Sequence, residues 1–400
     1  MEYYLDCHKL RHLKPNYHIK ISLTIKRFIG TWPPMYHPQR DFYFIYTILN
    51  LIFILGIYLA AQAINLTIIW GDIERMVATT FLLMTNIVHG YKIIVIIQNQ
   101  LRIKKLLNTL TSPLFIRDNK KYERIFTYYA WQGIYHHIIY QSLGSIATFC
   151  WSFIPIANAV VGLERRLPMD AWYPFDTKKS PAFEIICAHQ AIAVFIGCVH
   201  NISMDTLITG LLNAACCQLE VIKCNIKNLD LSADESIEIN QQRVMKELVR
   251  CIYHTNIVME FVMEIKSIFE LVILSQLTVN SLIICLSAFH LTQMTVFIPT
   301  EAFGMMMYIC CMTYQIFIFC YHGNELCFQS QSVADAVFAS NWWKFNEQIK
   351  QSFGIMITRF HKPIVLTAGP LIKLSLNTFV NVLRVSYSFF TLLRQSTSND

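Results

Sequence analysis

The chain has 400 residues, of which 54% are hydrophobic and only 15% are charged, with a formal net charge of +7. In soluble domains about a quarter of the residues are charged, so this composition favours an integral membrane protein over a soluble one. The basic residues stand in short blocks between apolar stretches, which is typical of membrane topology signals and argues against nucleic-acid binding.

The N-terminal segment is polar and basic and lacks the apolar core of a cleavable signal peptide. We therefore expect the first membrane span to direct the chain to the membrane, and residues 1–40 to form a cytoplasmic arm. The sequence Trp32-Pro33-Pro34 is expected to end any helix before that span.

Seven stretches are long and apolar enough to be membrane helices. The fourth keeps its helical pattern to about residue 228, and a second amphipathic stretch begins near Ile237 and continues without a break into the fifth span. The predicted spans cover about 42–64, 73–98, 128–153, from 183 onward, 268–290, 297–321 and 371–395.

These stretches predict an all-α membrane protein with a cytoplasmic helical anchor bundle. The apolar stripes of the cytoplasmic extensions cannot be buried in lipid, so they are expected to pack together. Residues 41–214 are predicted to hold membrane helices one to four, with an extracellular loop at 154–183, and residues 268–322 to hold helices five and six. Residues 215–267 are predicted to form the cytoplasmic extensions of helices four and five, and residues 323–369 a cytoplasmic anchor segment. Residues 370–395 are predicted to form a pore-lining helix.

The distribution of basic residues predicts the orientation of the chain. Seven spans place the basic N-terminal segment, the basic second link and residues 323–362 on one side, which the positive-inside rule makes cytoplasmic. The glycosylation sequon at Asn65, followed by Leu66 and Thr67, then falls outside. The N-terminus is therefore expected in the cytoplasm and the C-terminus outside, the reverse of a G-protein-coupled receptor.

The last helix carries a narrow polar stripe. Pro363 and the pair Gly369-Pro370 break the backbone, so a new helix can begin at Pro370 or just after it. The stripe residues fall within about 40° of one line at helical spacing. They are Asn381, Arg384, Ser388, Thr391 and Gln395. The stripe is either a face packed against neighbouring helices or the wall of a pore, because lipid offers polar groups no partners.

The outer halves of the second, third, fourth and sixth spans are rich in methionine, aromatic and small residues. A cavity among them would suit a small volatile or lipophilic ligand, although such residues are also ordinary in packed membrane helices. The candidate ligand-binding residues are Thr80, Met84, Ile87, Ile146, Trp151, Ala193, Phe195, Phe303, Met306 and Met307.

Signals for catalysis, a cofactor or a metal are missing from the sequence, so we do not expect an enzyme. Asp205 is the one acid deep within the fourth span and is expected to make a packing or assembly contact. Cys150 and Cys187 stand near the outer ends of predicted spans, where either a disulfide or two free thiols is open, with free thiols favoured.

Several motifs resemble those of the insect odorant receptor family. The C-terminal signature of that family is similar to Tyr321–Ser330, Lys362–Gly369 and Leu374–Phe390, and Trp172–Asp176 resembles its second extracellular loop. The length of the link between the fourth and fifth spans is typical of an odorant-tuned subunit rather than of the shared co-receptor.

The resemblance implies an odorant-gated, non-selective cation channel, assembled as a heterotetramer with co-receptor subunits in the plasma membrane of sensory-neuron dendrites. It implies a small volatile ligand, permeating cations and membrane lipid as partners, and a pore lined by the last helix. Carried onto this chain, the pore candidates are Asn381, Arg384, Ser388, Thr391 and Leu392. Two alternatives stay open: a gustatory-type seven-helix channel and a G-protein-coupled receptor.

Overall fold

A computed structural model describes residues 16–33, 40–116, 121–162, 165–230, 237–293 and 299–398. Parts of the predicted N-terminal arm, at 1–15 and 34–39, lie outside the described residues. The described chain is almost entirely helical, which confirms the predicted all-α class. The helices are α1 Tyr17–Ile29, α2 Arg40–Leu51, α3 Ile57–Ile68, α4 Ile73–Gln98, α5 Gln100–Leu110, α6 Pro113–Ile116, α7 Glu123–Ser152, α8 Ile154–Val161, α9 Ala182–Lys227, α10 Ile237–Gln293, α11 Pro299–Phe338, α12 Glu347–Phe360 and α13 Leu376–Ser398.

The first span is a single rod made of α2, one π-helical turn at Ile52–Gly56, and α3. Within the described residues, five helical segments are long and apolar enough to cross a membrane, or six if α7 and the bent α8 count as one span. The helix α13 falls short of that count because its polar residues lower its mean hydropathy. The predicted total of seven spans and the orientation of the termini therefore stay predictions.

One face of the N-terminal helix α1 is buried, a packing that the polar composition of this segment did not predict. It packs against α9 and α7, and its residues Ile19, Ser22 and Lys26 follow helical spacing on one buried face. The His18 Nε2 atom lies 3.2 Å from the carbonyl oxygen of Gly210 on α9. This buried face includes the polar residues His18, Ser22 and Lys26, so the polar and basic composition of the segment does not reveal it.

Three helices are much longer than a membrane span. The helices α9, α10 and α11 have 46, 57 and 40 residues, so α10 is about 85 Å long at 1.5 Å per residue. The helix α11 continues to Phe338, past residue 322, where the predicted membrane segment ends and the predicted anchor segment begins. Its continuation is held by buried residues at helical spacing, namely Leu326, Ser330, Val333 and Val337.

A short hairpin separates α12 from α13. The strands β1 Thr367–Ala368 and β2 Ile372–Lys373 pair antiparallel across a turn at Gly369, whose φ is +60°. The last helix begins at Leu376, further along the chain than the predicted start at Pro370 or just after it. The reason is that Ile372–Lys373 forms the second strand of the hairpin. The Ser375 hydroxyl oxygen accepts a hydrogen bond from the Thr378 backbone N–H at 3.2 Å and caps the helix.

The hairpin is fastened to α10 and α11. The backbone N–H of Gly369 donates to the carbonyl oxygen of Glu270 on α10 at 3.3 Å. On α11, a Cβ added at Gly323 would lie 2.4 Å from the Cβ of Leu374 and 2.9 Å from its carbonyl oxygen. Glycine at 323 therefore lets the start of the last helix lie directly against α11.

Candidate functional site

A cavity lies between the first span, α4, α7, α9 and α11, on the side of these helices where Met169 of the loop 165–181 contacts them. Met169 of that loop closes it, held by Gln190, whose side chain bonds the backbone N–H and the carbonyl oxygen of Met169 at 3.2 and 3.1 Å. None of the described lining residues belongs to α10. The walls are mainly apolar and include Ile54, Leu55, Leu82, Ala147, Trp151, Ala193, Val194, Ile202 and Met312.

The structure brings Trp151 and Ala193, of the residues predicted from sequence, to this cavity. Met84 and Met307 pack against the core, and Thr80 is half-buried outside the lining. The remaining five are exposed on the outer surface of the chain: Ile87, Ile146, Phe195, Phe303 and Met306. The four predicted helices all line the cavity, together with the first span, which was not predicted, but most of the chosen side chains stand next to the lining residues on other helical faces.

The cavity has a polar floor that the sequence prediction missed. Asn201 on α9 lines the cavity, and its side-chain oxygen accepts a hydrogen bond from Lys92 Nζ at 2.9 Å. The same ammonium lies 2.6 Å from a carboxylate oxygen of Asp205, one turn further along α9. Lys92 and Asp205 are 1% and 0% exposed, so this ion pair is removed from water.

Asp205 gathers further donors. The Tyr140 hydroxyl of α7 donates to its second carboxylate oxygen at 3.1 Å, and the Gln315 side-chain amide of α11 donates to the same atom at 2.5 Å. Four helices thus meet at one carboxylate. The acid predicted to make a packing contact does so. The sequence contained a signal for its partner, because Lys92 is a charged residue in the middle of an apolar stretch.

Two histidines and an unpaired lysine extend the floor. His89 Nε2 lies 3.1 Å from His200 Nδ1, and His200 Nε2 lies 2.8 Å from the hydroxyl of Thr31, which follows α1. Lys26 of α1 is fully buried, and its ammonium has no hydrogen-bond partner among the described residues. The N-terminal helix therefore completes the underside of the cavity floor.

A chain of buried amides leads from the floor towards the last helix. The side-chain oxygen of Gln315 accepts hydrogen bonds from Asn280 at 2.8 Å and from Gln276 at 3.0 Å, both on α10. The next residue, Ser281, lies 3.0 Å from the hydroxyl of Ser386 on α13. Polar contacts thus lead from the cavity floor to α10 by way of α11, and the adjacent residue of α10 makes a separate polar contact with α13.

The polar stripe of α13 faces away from the rest of the chain. Phe379, Val382 and Leu383 pack against the core and Ser386 is buried, whereas the stripe lies on the opposite side. Asn381, Arg384, Ser388 and Leu392 are exposed and Thr391 is half-buried. The hydroxyls of Ser388 and Thr391 donate to carbonyl oxygens of their own helix, at 3.0 and 2.8 Å.

Other predicted positions have defined surroundings. Asn65 lies in the last turn of α3, half-buried, and its side-chain nitrogen donates to the Thr79 hydroxyl at 3.3 Å. Its glycosylation stays a prediction. Cys150 and Cys187 are both free thiols, the alternative that the sequence favoured.

Comparison with known proteins gives consistent matches over most of the chain. A family model described as 7tm Odorant receptor matches residues 72–387. The chain is 25% identical to Odorant receptor Or1 of Anopheles gambiae, with 94% of this chain and 95% of that protein covered. It is 22% identical to Odorant receptor 94a of Drosophila melanogaster, with 94% and 96% covered.

The fold is similar to that of the olfactory receptor OR5 from Machilis hrabei, solved in complex with eugenol. The TM-score is 0.82 at 20% sequence identity, and the alignment covers 94% of this chain and 97% of OR5. A second structure of the same receptor gives a TM-score of 0.77.

Proposed function

Because this chain belongs to the 7tm odorant receptor family, we propose that it is the odorant-tuned subunit of a ligand-gated, non-selective cation channel. It acts in the plasma membrane of sensory-neuron dendrites, together with co-receptor subunits in a hetero-oligomer, most simply a tetramer. A small volatile or lipophilic molecule binds in the cavity and opens a pore lined by the last helix. The relatives are odorant receptors and not enzymes.

The observation that carries this proposal is that one chain combines an exposed polar stripe on α13 with a mainly apolar cavity among its other helices. Asn381, Arg384 and Ser388 are exposed in the single chain, and a polar face in a membrane needs water or a partner chain. A water-filled pore between subunits satisfies that need. The Machilis hrabei receptor in complex with eugenol supports small-molecule binding in this fold.

The far ends of the long helices supply the assembly surface in this proposal. Segments 215–267 and 323–369 lie in the cytoplasm and form the anchor of the complex, while residues 154–183 face the outside. Large apolar side chains exposed there support this arrangement, because lipid cannot cover them. They include Val249, Tyr253, Met263, Phe338 and Trp343.

The test is electrical recording from cells that express this chain with its co-receptor, across a chemically varied odorant panel. We expect odorant-evoked cation currents that need both subunits and no G-protein signalling. Cells expressing the co-receptor alone are the matched control. Currents that persist without a co-receptor, or that disappear when G-protein signalling is blocked, would overturn the proposal.

A further inference from the structure

We propose that Asn201 is a fixed hydrogen-bond donor in the cavity, so that the preferred ligands are apolar molecules carrying one accepting oxygen, such as ketones, aldehydes and esters. The inference rests on the proposed function, since it takes the cavity as the odorant site. It adds the chemical class of the ligand and the residue that selects it.

The orientation of the Asn201 side chain follows from its partner. Lys92 carries an ammonium group, which donates hydrogen bonds and cannot accept them. The atom of Asn201 that lies 2.9 Å from Lys92 Nζ must therefore be the amide oxygen. The amide nitrogen of Asn201, with its two N–H groups, then points away from Lys92. Asn201 is one of the residues that line the cavity.

The ion pair beneath Asn201 holds this orientation in place. Lys92 Nζ lies 2.6 Å from Asp205, and that carboxylate also accepts hydrogen bonds from Tyr140 and Gln315. Rotating the Asn201 amide by half a turn would place its N–H groups against a buried ammonium. A charge-assisted network of this kind makes the amide a donor of fixed direction.

The hydroxyl groups that line the cavity do not compete with this donor. Each directs its proton at an acceptor within the protein. Tyr140 donates to Asp205, Thr148 to the carbonyl oxygen of Gly144, Thr85 to that of Phe81, Tyr58 to Met169 Sδ, and Tyr308 shares its hydrogen bond with Thr85.

Among the side-chain amide and hydroxyl groups of the lining, we expect Asn201 to select a ligand by the acceptor that the ligand offers. The walls accept an apolar body through residues such as Ile54, Trp151 and Val194. A hydrocarbon would cover the amide N–H groups without bonding them, whereas a carbonyl oxygen would accept one of them. Leaving a buried donor unpaired costs enough to change affinity by roughly tenfold.

The experiment compares matched ligands on the complete channel, co-expressed with its co-receptor. Each pair consists of a methyl ketone and the alkene in which a methylene group replaces the carbonyl oxygen. For the unmodified chain we expect the half-maximal concentration of the ketone to be roughly tenfold lower than that of the alkene. In Asn201→Leu the two values should converge, mainly because the ketone becomes weaker.

A second variant separates the donor from the support of Lys92. Asn201→Asp keeps an oxygen for Lys92 and replaces the amide nitrogen with a second acceptor, so it should also remove the preference for ketones. Ile192→Val is the control, because this exposed side chain of α9 lies outside the cavity lining and should keep the tenfold ratio. Surface expression of every variant is measured in parallel.

Two outcomes would overturn the inference while leaving the proposed function intact: equal potency of ketone and alkene on the unmodified chain, or an unchanged ratio in both Asn201 variants. A channel that responds to no odorant of any class when the co-receptor is present overturns the proposed function itself. The two failures are thus distinguishable.

Discussion

Two groups of polar side chains lie on otherwise apolar helices of this protein, and their surroundings are opposite. In the core, Lys92 and Asp205 are almost completely buried, and the contacts between them are made within one chain. On the last helix, Asn381 and Arg384 are exposed. The first group is completed by the fold of the chain itself, whereas the second needs surroundings that a single chain does not provide.

The contrast has a physical meaning in a membrane. A buried charge is tolerated when an opposite charge and several donors surround it, as they do at Asp205. An exposed charge on a membrane helix has to face water or another subunit. We therefore expect substitutions in the core to change stability first, and substitutions in the stripe to change conduction first.

The largest effect is expected from Lys92→Met, which leaves the Asp205 carboxylate buried without its cation. The loss of stability should be about 3–5 kcal/mol. Thermal unfolding in detergent, followed by size-exclusion chromatography, measures it. The double variant Lys92→Met with Asp205→Leu should recover much of the loss, since it removes both charges. A single variant as stable as the unmodified chain would show that the core is not completed internally.

A smaller loss is expected from Gly323→Ala, which tests how the last helix is attached. The new Cβ would meet Leu374 at 2.4 Å, so α11 and the start of α13 must move apart, at a cost of about 1–3 kcal/mol. Gly354→Ala on α12 is the matched control, since a Cβ there meets nothing within 4 Å. That variant should be neutral or slightly stabilising. Equal unfolding temperatures for both would contradict the close contact.

Gln315→Leu tests whether the two regions are connected. It removes the donor to Asp205 and the acceptor for Asn280, so the ligand should bind while opening less often. We expect the maximal current, corrected for surface expression, to fall roughly fivefold, equivalent to about 1 kcal/mol of coupling. Ser281→Ala, which removes the hydrogen bond between α10 and Ser386 of α13, should act in the same direction more weakly. Unchanged maximal currents in both would separate the two regions.

The smallest effect on stability is expected from Arg384→Gln, within about 0.5 kcal/mol, because the side chain is exposed. In the proposed channel, where the stripe lines a cation pore, removing a positive charge from it should raise single-channel conductance by roughly twofold. Ser388→Ala offers an uncharged comparison on the same stripe and should change conductance less. If Arg384→Gln shifts only the odorant dose dependence, the stripe is a packing face and the comparison fails.

The sequence predicts which segments are helical better than it predicts which face of each helix is buried. The bounds of α4 and α9, and the unbroken course of α10, agree with the apolar patterns, because each pattern is local. Which side of a helix faces the cavity depends on the neighbouring helices, so Ile146 and Phe195 were chosen where Ala147 and Val194 line the cavity. The same dependence on neighbours hid the buried faces of α1.

Long-range polar contacts were harder to predict. Asp205 was recognised as unusual, but Lys92 lies 113 residues away along the chain, and no local pattern joins them. The hairpin before α13 was missed for a related reason, since two-residue strands carry almost no periodicity. The polar stripe was visible because it repeats along one helix; its exposure could be learned only from the packing of α13 on α10 and α11.

The position of helix α10 bears on how the protein can evolve. It contacts α13 and the hairpin, yet none of the described residues of the cavity lining belongs to it. Substitutions that retune the cavity can therefore accumulate on the other helices without altering the side chains of α10 that hold the last helix. For the proposed channel, this means that a lineage can diversify the ligands it binds while it retains the same mechanism of opening.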